Sequence, residues 1–131
     1  MNRLTRSLTV AATVGSALLL TAPASHAATS GGSAGSCQTF STSNSIGASE
    51  VTACPLADGS YQVTGYLDNY LPFGGLDGPY WAQVDIKAGT TRVGLSTSMS
   101  QYNVPVTRTT FDRTVSLPSQ PTSITVWQPW R

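Results

Sequence analysis

YWAQVDIKAG, residues 80–89, is the stretch that decides the fold. Tyr80, Ala82, Val84 and Ile86 alternate with Trp81, Gln83, Asp85 and Lys87. An apolar residue at every second position marks a strand with one buried face, because successive side chains point to opposite sides of a sheet. Ala88-Gly89 then offers a tight turn, and Thr91 to Ser98 follows with Val93 and Leu95 on one face. Two such runs joined by a short glycine turn predict a β-hairpin.

The same grammar extends in both directions. Gln38 to Thr42 is a short strand, and Glu50 to Cys54 is stopped by Pro55. Ser60 to Leu67 sets Tyr61, Val63 and Leu67 against Gln62, Thr64 and Tyr66. Val106 to Leu117 carries Phe111, Val115 and Leu117 at period two, and Thr122 to Trp127 pairs Ile124 with Val126. No segment shows helical periodicity over a useful length. About seven short strands with turn-rich connections predict an all-β domain, a single antiparallel β-sandwich. A small closed β-barrel is the alternative.

Three zones are expected. Met1 to Ala27 has the pattern of a secretory signal peptide: Arg3 and Arg6, the uncharged run Ser7 to Leu20, and small residues in Ser25-His26-Ala27. The uncharged run is too short to span a bilayer, which takes about 20 mainly apolar residues, so no membrane insertion is expected of the mature form. Residues 28–36 are Ala, Thr, Ser and Gly only, a composition expected of a flexible tail. Residues 37–131 form the sandwich domain. The leader and the Ser/Thr/Gly/Ala-rich start resemble those of small secreted proteins of Gram-positive bacteria, which implies an extracellular bacterial protein.

Composition narrows the chemistry. Beyond Ala27 the basic residues are Lys87, Arg92, Arg108, Arg113 and Arg131, against Glu50, Asp58, Asp68, Asp77, Asp85 and Asp112. Five positive and six negative charges leave about −1, with no basic patch for nucleic acid or an anionic membrane. Cys37 and Cys54 are the two cysteines, and in an exported chain they are expected to be bonded. His26 is the single histidine and lies in the leader. Triads of the Ser-His or Cys-His type then lack their base, and zinc, copper and haem sites lack their usual ligands. An oxygen-ligand site from Asp68, Asn69 and Asp77 matches no calcium-loop spacing. No cofactor, no metal and no catalytic residue is expected.

What remains is aromatic. Tyr66, Trp81 and Trp127 fall on the polar sides of their strands, where they can stack on sugar rings or anchor a protein interface. Tyr70 and Phe73 lie in the long connection 68–79, and Trp130 follows the last strand. The plainer alternative for that connection is that Leu71, Phe73 and Leu76 fold back over the core. These six aromatics point to a non-enzymatic binding module for an extracellular glycan or protein partner. The alternatives are an inhibitor of a secreted hydrolase acting through the 68–79 loop, a carboxylate-dependent glycan-active enzyme, and a structural protein of the cell surface. Oligomeric state is not legible. Cleavage after Ala27 predicts that N-terminal sequencing of secreted protein begins at Ala28. A start at His26 would restore an imidazole and reopen copper chemistry, although no second histidine exists to complete the usual brace.

Overall fold

The structure is a computed structural model and describes residues 35–129. The leader, residues 28–34 of the expected tail, and Trp130 lie outside the described residues. Among the described residues the chain forms β1 (Gln38–Ser43), β2 (Gly47–Pro55), β3 (Tyr61–Asn69), β4 (Trp81–Ala88), β5 (Thr91–Met99), β6 (Thr107–Val115) and β7 (Ser123–Trp127). A single 3₁₀ turn, Gly75–Asp77, interrupts the connection between β3 and β4. The seven expected strands are present, with ends displaced by a few residues. The largest differences are β2, which begins three residues earlier than Glu50, β3, which runs to Asn69 rather than Leu67, and β6, which ends at Val115 rather than Leu117.

The strands make two antiparallel sheets, ordered β1-β2-β3-β6 and β5-β4-β7. They are not closed into a barrel. Their inner faces share one core. Val51, Ala53, Val63, Leu67 and Val115 come from the larger sheet, and Ala82, Val84, Ile86, Ala88, Leu95, Ile124 and Val126 from the smaller. Alternation placed these residues correctly in β3, β4 and β7. In β5 the expected pair holds, with Leu95 in the core and Val93 packed against it, but Ser98 is buried as well although it differs from them in parity. The ladder between β4 and β5 slips at Val84/Asp85, so an irregularity turns the strand over between Leu95 and Ser98.

Polar side chains tie the sheets together at the end where β3 finishes and β4 starts. Asn69 is 1% exposed. Its amide donates to the Ser98 carbonyl at 2.7 Å and the Tyr80 carbonyl at 3.1 Å, and its Oδ1 accepts from the Leu71 N–H at 2.9 Å. Asn44, in the β1–β2 turn, accepts from the Ile46 and Gly47 N–H groups and donates to the Val126 carbonyl at 2.8 Å. At the opposite end Cys37 and Cys54 are bonded, with S–S 2.05 Å, one register step beyond the Gln38–Ala53 pair. A crosslink across this sequence separation of 17 contributes roughly 3 kcal/mol in the chain-entropy model.

Truncating Asn69 would strand the buried Ser98 carbonyl and the Leu71 N–H, and would leave the Tyr80 carbonyl with the Ser100 N–H alone. Asn69→Ala is therefore expected to cost roughly 3 kcal/mol, by the price of unsatisfied buried groups. Urea unfolding measures this, and a loss under about 1 kcal/mol, the net worth of one ordinary hydrogen bond, would show that water replaces the amide.

Candidate functional site

Strand alternation fixes where each aromatic sits. In β4, Ala82, Val84 and Ile86 face the core, so Trp81, Gln83, Asp85 and Lys87 share the outer face of the smaller sheet. Trp127 pairs directly with Gln83, which makes Trp81 its diagonal neighbour on that face. Both indoles are half-buried. The Trp127 Nε1–H donates to Asp85 Oδ2 at 2.7 Å, and Gln83 Nε2 donates to Asp85 Oδ1 at 2.7 Å. These donors hold a carboxylate that is only 6% exposed. Gly94 lies opposite Asp85 in the ladder. A Cβ there would stand 3.0 Å from Gln83 Nε2, so the small residue leaves room for the clasp.

Tyr66 is elsewhere. In β3 the core residues are Val63 and Leu67, so Tyr66 faces out from the larger sheet, on the other side of the core. The expected grouping of Tyr66 with Trp81 and Trp127 is therefore divided, because the two strand sets belong to different sheets. Tyr66 is also occupied. The Arg108 guanidinium lies 3.9 Å from its ring centroid. Arg108 is fixed there by Asp68, through Nε at 2.6 Å and Nη2 at 2.7 Å. Those bonds to Asp68 raise the Arg108 pKa above its ordinary value. Asp68 and Asn69 are strand residues with these partners, so the connection proper begins at Tyr70.

That connection and the one between β5 and β6 build the same end of the molecule. Tyr70 N–H is bonded to the Ile46 carbonyl, and Gly74 and Gly78 close the 3₁₀ turn with a 2.9 Å bond. Phe73 meets Tyr102 edge to face, with centroids 5.8 Å apart. Leu76 does not fold back over the core: it is 107% exposed. Tyr102 is 72% exposed, and Tyr70, Met99, Val104 and Val106 are exposed as well. Among the described residues these six are all the large apolar side chains left exposed, and all lie in segments 70–76 and 99–106. Two cavities open here. One, of about 560 Å³, is lined by Leu71, Pro72, Asp77, Tyr80 and Gln128. The other, of about 360 Å³, has Pro72, Phe73, Tyr102 and Val104 in its walls.

The sequence singled out Tyr70 and Phe73 and missed Tyr102, Val104 and Val106. Their signal was present: an apolar Tyr102-Asn103-Val104-Pro105-Val106 run that cannot be strand throughout, since Asn103 takes a left-handed φ of 59°. Among the described residues no three His, Cys, Asp or Glu side chains come together as metal ligands. Compared with known proteins, the chain matches no family model, no curated protein and no solved structure.

The Trp127–Asp85 bond makes that indole a structural donor as well as a surface ring. Trp127→Phe keeps the ring's bulk and removes the N–H, and is expected to cost about 1.5–3 kcal/mol, the range for a bond to a charged group. In an Asp85→Asn background the same change should cost roughly half as much. A double-mutant cycle by urea unfolding measures the coupling.

Proposed function

We propose that the mature chain is an exported, non-catalytic binding module that engages a protein partner through its loop end. One observation carries this: the exposed large apolar side chains of the described chain are confined to two adjoining connections and to Met99, the strand end that leads into one of them. Scattered exposed apolar residues are ordinary, whereas a contiguous group marks an interaction surface. The group includes two tyrosines, Tyr70 and Tyr102, with the half-buried Phe73 set against Tyr102, and aromatic residues are common interface anchors. Its base is rigid, because Asn69 orders the first peptide of the 70–80 loop. Leu76, at the projecting turn, gives that loop the shape of a wedge. A cleft on a secreted enzyme would receive such a wedge, so inhibition of a hydrolase is the form of this function the geometry favours.

A glycan platform is the second reading. It is supported by Trp81 and Trp127 sharing one outer face as diagonal neighbours. The two readings separate by mutation. Immobilised mature protein is incubated with extracellular proteins and with insoluble glycans, and retention is compared for wild type, Leu76→Ser, Tyr102→Ser and Trp81→Ala. Loss of an anchor worth about 1.4 kcal/mol is a tenfold fall in affinity. Protein retention is expected to fall about tenfold for the two loop variants, with little change in melting temperature. Retention by glycan that is lost in Trp81→Ala alone would overturn the protein reading.

A further inference from the structure

We infer that the larger cavity at the loop end receives a basic side chain of the protein partner, an arginine or a lysine. The inference rests on the protein-binding reading above and names the chemistry its partner presents. Asp77 supplies the first argument. The acidic side chains in the described chain are otherwise engaged. Glu50 accepts from Ser41, Asp58 from Ser60, Asp68 from Arg108, Asp85 from Gln83 and Trp127, and Asp112 from Gln62. Asp77 alone among them has no hydrogen bond or ion pair to its carboxylate. It is also exposed, and it is held at the cavity by the 3₁₀ turn whose N–H groups bond back to Gly74 and Gly75.

The remaining walls supply the second argument. Leu71, Pro72, Tyr80 and Gln128 line the same cavity. Tyr80 is fixed from both sides of its backbone: its N–H donates to Ser100 Oγ at 2.8 Å, and its carbonyl accepts from the Ser100 N–H at 2.8 Å. A long basic side chain has two parts, an apolar stem and a charged head. The aliphatic and aromatic walls match the stem, and the unengaged carboxylate matches the head. At about 560 Å³ the opening lies within the usual size of a ligand pocket. A guanidinium offers two parallel donors to the carboxylate where an ammonium offers a point charge, which favours arginine over lysine.

The probe is Nα-acetyl-arginine N-methylamide, compared with its norleucine counterpart and with methyl β-glucoside. Each is titrated into the ¹⁵N-labelled mature chain and followed by amide shifts of residues 71–80. The arginine probe is expected to bind at least about threefold more tightly than norleucine, as for an exposed charge pair worth up to about 1 kcal/mol. Asp77→Asn should abolish that preference, and raised salt should weaken it. Leu76→Ser should leave it intact while reducing protein retention, so failure of the pocket and failure of the wedge are told apart. Equal binding of arginine and norleucine, tighter binding of the glucoside, an undiminished arginine preference in Asp77→Asn, or no probe shifting residues 71–80 would each overturn the proposal.

Discussion

A buried amide holds the loop end of this molecule in place. Asn69 ends β3 in the larger sheet, yet its donors serve carbonyls at the start of β4 and near the end of β5 in the smaller one. Its oxygen is spent on the next turn of chain, at Leu71. Both donor protons and the acceptor are therefore used, so the group is buried without the cost of an unmet hydrogen bond. Apolar packing alone fixes the distance between two sheets but leaves them free to slide. A fully bonded amide between them specifies one alignment. The wedge at 70–80 inherits its direction from that alignment.

The sheet edges show the same economy of means. An edge strand exposes unpaired backbone groups that can recruit another chain. The smaller sheet has its edges at β5 and β7, and β7 contains no charged residue. Each edge is met by a polar side chain from the larger sheet. Asn44 takes the Val126 carbonyl, and Arg113 from β6 takes the Leu95 carbonyl at 3.0 Å. The β5 edge is further bent by the register shift opposite Val84/Asp85. With 10% charged residues the chain has few charges available to guard its edges, and Arg113 is one that it places across the sheets.

Strand positions were legible because each strand buries one face, and that leaves a period of two in the residues. The bond between Cys37 and Cys54 was legible because two cysteines allow one pairing. The break in β5 was not, since a one-residue slip changes parity without altering composition around Val93 and Leu95. The grouping of the aromatics was not legible either. Alternation says which face of its own strand Tyr66 occupies, but it does not say which sheet the strand joins. Strand order depends on contacts far apart in sequence, and β3 pairs with β2 and β6 while β4 pairs with β5 and β7. The exposed set at Leu76, Tyr102 and Val104 was hidden for a related reason. The β4–β5 ladder ends at the Trp81–Met99 pair and so brings the two connections together, but strand alternation does not say which side chains of a connection stay exposed.

Sparse charge also shapes how such a surface can work. Strongly charged faces speed encounter by steering, and their partners associate faster than neutral ones by orders of magnitude. Here the described chain has ten charged residues, six acidic and four basic, most of them exposed and of mixed sign. Arg108 is clamped by Asp68 over Tyr66, and Asp85 is enclosed by Gln83 and Trp127. Little long-range field is left to guide a partner, so encounter should proceed at the rate of neutral surfaces. Affinity then depends on how long the complex lasts, which is set by apolar anchors in well-formed contacts. A projecting loop on an immobile base suits that requirement. The base lowers the ordering cost of binding, and the exposed leucine and tyrosines supply the area that slows release.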